Sequence, residues 1–176
     1  MIKNYTQFNE GVKHLLVGPT EDEIWNKLKR LHKNNLLIKS SKIGFNKGVE
    51  IALDRGADIH YGIDEPLRVA SQEGQIDTIK LLLDRGADIH GNGDFSLSVA
   101  SLKGHTDVVK LLLDRGADIH VNNDNPLRLS SLRGHTDTVK LLLDRGADIH
   151  ANNDEPLKLS SNNGHTDVVK LLKKYM

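Results

Sequence analysis

LLLDRGADIH occupies residues 81–90, and the same ten letters return at 111–120 and 141–150. A related block, IALDRGADIH, ends at residue 60, so successive blocks lie 30 residues apart without a gap. A second block keeps this spacing, as GQIDTIK (74–80), GHTDVVK (104–110), GHTDTVK (134–140) and GHTDVVK (164–170). A fixed period in this size range is the signature of repeat proteins. We therefore divide the chain into units 31–60, 61–90, 91–120, 121–150 and a truncated 151–176.

Each unit is predicted to contain two short helices joined by a loop. Prolines mark the start of the first helix, where proline is tolerated, and the aspartate two residues earlier is suited to capping free N–H groups. These residues are Pro66, Pro126 and Pro156, with Asp64, Asp94, Asp124 and Asp154. Glycines at 74, 104, 134 and 164 fit left-handed stops of the first helix. One such unit cannot bury its apolar helix faces alone, so the units are expected to stack into an all-α solenoid.

The composition excludes several classes of protein. Lys+Arg and Asp+Glu both count 24 in the 176 residues, and this balance argues against a generic binder of nucleic acid or membrane surfaces. The chain has no cysteine, which excludes disulfides and thiolate metal sites. Its longest apolar stretches are triplets such as residues 111–113, far too short for a transmembrane helix. We expect a cytoplasmic monomer that makes no membrane contact.

The block PLRLSSLRGHTDTVKLLLDRGADI at 126–149 resembles the ankyrin repeat consensus, which runs TPLHLAA, GH, a valine-rich helix, LLL and GAD. The likeness covers roughly residues 34–176. It implies an ankyrin-type solenoid in which the GH histidine braces the neighbouring loop. Two features depart from the consensus. The period is normally 33, so three residues are missing from the finger between GAD and PL, and TPLH is replaced by DEPLR, DFSLS, DNPLR or DEPLK.

Short 30-residue units of this kind are similar to ankyrin proteins encoded by giant viruses and some phages, which would place the protein in a host cytoplasm. Residues 1–30 are expected to form an extension and a helical cap, with a capping box at Thr20 and Glu23 on a helix over 20–32. The start, MIKNYTQFNEG, resembles the head-targeting peptides of tailed phages, with cleavage after Glu10. The alternative is an amphipathic helix with Tyr5, Phe8, Val12 and Leu16 on one side.

Catalytic and metal chemistry find no support in the repeated residues. The histidines form two ladders, one residue per unit, so ladder neighbours stand about 10 Å apart, too far to share a metal ion. A nucleophile needs a base held by a third group, yet the His and Asp residues of the repeated blocks recur with the period, as do most of the Ser residues. GNGD at 91–94 is a finger turn and not a phosphate-binding loop. We therefore predict no enzyme activity, cofactor or metal.

Partner binding is expected where the units differ. The expected contact residues lie on the fingertips and first helices, the concave face in ankyrin folds. They are Tyr61, Ile63, Arg68, Gln72, Glu73, Phe95, Leu102, Lys103, Val121, Arg128, Leu132, Arg133 and Lys158. Leu102 and Leu132 are expected to be exposed, as an apolar centre with a basic rim. The alternative is that these two leucines pack against each other along the stack.

The predicted function is a protein–protein interaction module that sequesters or inhibits its partner, plausible for a viral or phage factor that acts on a host protein. The alternative is a nucleic-acid or nucleotide-binding solenoid that uses the basic stripe Arg68, Arg128, Arg133 and Lys158. Nucleic-acid binding would weaken steeply with added salt. The low aromatic content of 4% disfavours base stacking and therefore this alternative.

Overall fold

A computed structural model describes residues 19–176, and the chain divides into two compact units after Arg30. In the first, helix α1 spans Glu21–Leu28 and has the predicted capping box. The Thr20 hydroxyl accepts the Glu23 N–H at 3.2 Å, and the Glu23 carboxylate accepts the Thr20 N–H at 2.8 Å. The helix is shorter than predicted. The targeting peptide and its helical alternative lie outside the described residues, and the capping role of residues 1–30 stays a prediction.

The second compact unit is a stack of five helix pairs, and the described residues contain no strand. The pairs are α2 (Lys33–Ile43) with α3 (Asn46–Asp54), α4 (Tyr61–Gln72) with α5 (Ile76–Asp84), α6 (Gly91–Lys103) with α7 (Thr106–Asp114), α8 (Val121–Arg133) with α9 (Thr136–Asp144), and α10 (Ala151–Asn162) with α11 (Thr166–Tyr175). First helices pack on first helices of adjacent units, and second helices on second helices. The predicted all-α solenoid of five units is confirmed, and it includes residues 31–60.

The core runs along the stack as rows of equivalent aliphatic side chains. The first helices contribute a fully buried leucine to each of four units, at 37, 67, 97 and 127. The second helices contribute a fully buried leucine near their C-terminal ends, at 82, 112, 142 and 172. Burial of such a side chain stabilises a protein by roughly 1.5–3 kcal/mol. The neighbouring units bury these rows, and stacking is therefore what stabilises each helix pair.

The GH histidines brace neighbouring units, as the family resemblance implied. The Nε2–H of His105, His135 and His165 donates to the backbone carbonyl of residue 72, 102 and 132 in the preceding unit, at 3.0, 3.0 and 2.9 Å. The ring lies directly against the glycine that ends the preceding first helix. A Cβ on Gly104, for example, would stand 2.5 Å from His135 Nδ1. Gly104 also has φ +74°, so both the left-handed stop and the ring contact require glycine.

The exposed sides of the second helices carry a ladder of ion pairs between units. Arg115 contacts Asp84 at 2.9 Å, Arg145 contacts Asp114 at 2.8 Å, and Arg85 approaches Asp54 at 4.0 Å. In the fifth unit, tyrosine replaces the arginine, and the Tyr175 hydroxyl donates to Asp144. Hydrogen bonds from Lys140 and Tyr175 hold the pKa of Asp144 below its ordinary value. Exposed pairs of this kind add little stability, so the ladder mainly aligns the units.

Two glycine substitutions separate backbone strain from the histidine contact. Gly116 has φ +97°, and a Cβ added there would meet no atom within 4 Å, so Gly116→Ala is expected to lower the free energy of unfolding by roughly 1 kcal/mol. Gly104→Ala must also displace the His135 ring, and its loss is expected to be about 2–3 kcal/mol. Urea unfolding followed by circular dichroism measures both. Equal losses would contradict the close ring contact.

Candidate partner-binding surface

The fingers, residues 57–64, 87–94, 117–124 and 147–154, end in an unusual backbone turn. Residues 62–64 fall within the bounds of α4 but are all left-handed, with φ of +65°, +59° and +56°, so the right-handed helix continues only after them. The same run lies near the start of α6, α8 and α10, at 92–94, 122–124 and 152–154. Glycine, asparagine and aspartate occupy these positions except for Ile63. Such residues tolerate the left-handed region. The predicted shortened finger is therefore a left-handed turn without strand, and triplets such as Asn122-Asn123-Asp124 carried a signal for it.

The aspartate at the end of each turn joins its finger to the next one. Asp64 is buried, and its Oδ1 accepts the backbone N–H of Asp88 in the following finger at 2.8 Å. The same carboxylate contacts His60 Nδ1 at 3.0 Å. Equivalent bonds recur at Asp94 and Asp124. The prediction that these aspartates cap their own helix is wrong, because the left-handed turn places the carboxylate beside the next finger.

The first and fifth units differ from the others at the position of this aspartate. In the first unit, Asn34 occupies the aspartate position, and its Oδ1 accepts the Asp58 N–H at 3.0 Å, so the amide preserves the bond. In the fifth unit, the Asp154 side chain is 47% exposed and contacts His150. The sequence pattern identified the aspartate ladder, but Asn34 lies in a helix half that the repeat pattern matches poorly. The first four units thus share a side-chain oxygen at this position, which accepts a backbone N–H of the following finger.

The predicted contact residues on the fingers differ widely in exposure. Tyr61 is 43% exposed, Ile63 65% and Phe95 38%. Val121 is only 8% exposed and so offers little contact area. The corresponding tips of the fourth and fifth units consist of asparagines, at 122, 123, 152 and 153. Large apolar side chains are thus exposed on the finger of the second unit, at Tyr61 and Ile63, and directly after the finger of the third unit, at Phe95.

The basic column of the first helices is largely paired. Arg68 contacts Glu65 at 2.9 Å. Arg128 donates to Glu155 of the next unit, and this hydrogen bond, together with one from Asn152, holds the pKa of Glu155 below its ordinary value. These carboxylates pair with two of the three arginines of the predicted stripe, and the third, Arg133, is exposed. A spacing of 27 residues joins Arg128 to Glu155, and only the stacked structure brings them together.

The residue pairs at the ends of the first helices differ from the sequence prediction in their exposure. Leu102 and Leu132 are half-buried, so the expectation that they are exposed is wrong. Each lies where the histidine of the next unit closes over the helix end to reach the leucine carbonyl. Their neighbours Lys103 and Arg133 are exposed, as is Glu73, whereas Gln72 is half-buried.

Other kinds of site have little support in residues 19–176. This part of the chain holds no group of three or more His, Asp or Glu side chains that could bind a metal ion. An apolar cavity of about 340 Å³ beside Ser161 and Val169 opens widely to solvent. None of the described helices has the length and apolar character needed to cross a membrane. The exposed finger and first-helix side is therefore the candidate surface.

Substitution of the finger aspartates tests the bond between fingers. Asp124→Ala leaves the Asp148 N–H without its acceptor, and we expect a loss of about 1–3 kcal/mol in the free energy of unfolding. Asp154→Ala removes only an exposed contact to His150 and should cost less than about 1 kcal/mol. Urea denaturation measures both variants. If Asp154→Ala lost as much free energy of unfolding as Asp124→Ala, the contact with histidine and not the bond between fingers would be the stabilising interaction.

The His90–Asp94 contact predicts a dependence on pH. The hydrogen bond and charge of Asp94 raise the pKa of His90 above its ordinary 6.5. Its contribution to stability is therefore complete below that value and is lost as pH rises through the folded pKa. His90→Gln should destabilise the protein more at about pH 5.5 than at about pH 8.5, modestly because the side chain is 57% exposed. Thermal melts at both pH values measure this, and equal losses would contradict it.

Comparison with known families agrees with this architecture. A model for a single ankyrin repeat matches residues 65–91, and a model for three copies of the repeat matches residues 97–176. No curated protein matches the chain. The two matches together cover more than half of the 176 residues, and the helix pair at 31–60 stacks in register before them. The chain is therefore an ankyrin repeat protein.

Proposed function

We propose that the repeat stack binds a partner protein through its fingers and first helices. Ankyrin repeats generally mediate protein–protein interaction. The observation that carries the proposal is the exposure of Tyr61, Ile63 and Phe95, at or next to the fingers of two adjacent units. Aromatic and aliphatic anchors surrounded by polar side chains are typical of protein interfaces. Further polar and charged contacts would come from the first helices, at Arg68, Lys103, Arg128, Arg133 and Lys158.

The nucleic-acid alternative is weaker on this structure. Its basic stripe needs free cationic side chains, but Glu65 and Glu155 pair with Arg68 and Arg128. Lys158 donates to the backbone carbonyl of Asn153 at 2.5 Å. The chain as a whole carries no net charge. Protein binding therefore fits the charge distribution better than neutralisation of phosphates does.

The stack has few means of acting on a partner other than by occupying its surface. A rigid module without a catalytic group would sequester the partner or block one of its sites, and we propose that it does so as a monomer. A role as a viral or phage factor that acts on a host protein rests on sequence resemblance alone. The identity of the partner would show whether the protein has this role.

Affinity purification of the full chain from its source cell, with chemical crosslinking and nuclease treatment, tests the proposal. We expect a specific protein to be recovered by the wild-type chain and at least about tenfold less of it by the double variant Tyr61→Ser, Phe95→Ser. The matched control is Lys80→Ser, Lys110→Ser, since both lysines are exposed on second helices.

Recovery that resists nuclease and changes little between about 0.05 and 0.5 M salt would support a protein partner. Recovery lost with nuclease or salt would favour nucleic acid. An equal loss in the control variant would place the interface on the second helices and contradict the proposed surface.

A further inference from the structure

Ile63 combines two unfavourable properties. Its backbone is left-handed, with φ +59° and ψ +64°, and its side chain is 65% exposed. A β-branched residue in this region is strained, because its Cβ crowds the following carbonyl oxygen. The equivalent positions hold Gly93, Asn123 and Asn153, which relieve that strain. Ile63 therefore adds strain without gaining burial, and such an outlier points towards function.

Ile63 is one of three exposed large apolar residues, with Tyr61 and Phe95, in two adjacent units. Tyr61 precedes it on the same turn, and Phe95 belongs to the adjacent unit, whose finger is joined to this one by the Asp64–Asp88 hydrogen bond. Gly91, at the position equivalent to Tyr61, lies directly against Asp64. The exposed large apolar residues thus come from two adjacent units. The fingers of the fourth and fifth units present asparagines instead.

Both carboxylates that follow Ile63 already have partners. Asp64 is buried and accepts the Asp88 N–H, and Glu65 lies beside Gly62 and pairs with Arg68 at 2.9 Å. Neither carboxylate is therefore free to pair with a charged partner surface. An acidic or basic partner surface would gain little attraction here. An uncharged apolar partner surface could bind here without burying an unpaired charge.

We propose that Ile63 is the anchor of the interface, inserted into an uncharged apolar cleft of the partner protein, with Tyr61 and Phe95 around it. This rests on the proposed function and narrows it to the second and third units. The fourth and fifth units then contribute polar contacts at most. Binding depends on apolar burial, so its affinity changes little with salt.

The strain is tested without a partner. Ile63→Asn introduces the residue found at the equivalent positions 123 and 153, so the variant should fold. Its melting temperature should rise by roughly 2–4 °C, and Asn123→Ile should lower it by a similar amount. Differential scanning calorimetry of the full chain measures both. An unchanged or lower melting temperature for Ile63→Asn would overturn the argument that isoleucine is kept there at a cost in stability.

The contact is tested with a benzophenone amino acid placed at position 63, 95, 128 or 153 of the full chain and irradiated in an extract of the source cell. We expect one protein to crosslink at 63 and 95 and not at 153. The affinity of that purified protein should fall at least about tenfold for Ile63→Asn and stay unchanged for Asn153→Ala. Similar affinity from about 0.05 to 0.5 M salt completes the expected result.

The other outcomes separate the two proposals. Crosslinks at 128 or 153 without any at 63 would leave the proposed function intact and overturn the anchor. Unchanged affinity of Ile63→Asn would do the same. A crosslink from 63 to residues 1–18 of the same chain, or to a second copy, would assign the cluster to the protein itself and overturn the anchor. Absence of a crosslinked protein at every position would overturn the proposed function and the anchor with it.

Discussion

The stack depends on one hydrogen bond that is repeated between consecutive fingers. A buried side-chain oxygen, from Asp64 or its equivalents, accepts the backbone N–H of the residue 24 positions later. A 30-residue unit has lost the part of the finger that would otherwise pair as strands, so its backbone donors need another acceptor. The aspartate supplies it across the boundary between units. Asn34 shows that an uncharged oxygen is sufficient at the first boundary.

In the second, third and fourth units this bond begins at a left-handed turn, whereas Asn34 makes the same bond from within α2, which has no such turn. Three successive left-handed residues reverse the chain within a short finger and leave the aspartate pointing along the stack. At the far end of the first helix, the GH histidine makes a second bond between units, to a backbone carbonyl. The two sets of bonds hold both ends of α4, α6 and α8. They also account for the histidine and aspartate ladders, which therefore leave little ground for a catalytic or metal role.

Freedom to vary is confined to positions outside these bonds. The tips of the fingers and the outer positions of the first helices carry the differences between units, and the apolar ones cluster on the second and third units. Ile63 stands out because it violates the local backbone preference that its equivalents obey. A protein of repeated units offers this internal comparison directly, since each unit serves as a reference for the others.

The sequence by itself determined the unit length, the two helices of each unit, their glycine stops and the absence of a disulfide framework, because these follow from composition, local periodicity and backbone preference. Only the tertiary structure decided which groups meet between units. Asp64 bonds the next finger and not its own helix, Arg128 is paired with Glu155, and Leu102 is half-buried. These outcomes depend on how adjacent units are positioned in the stack. A sequence does not specify them, because it carries no distances or directions across the boundary between units.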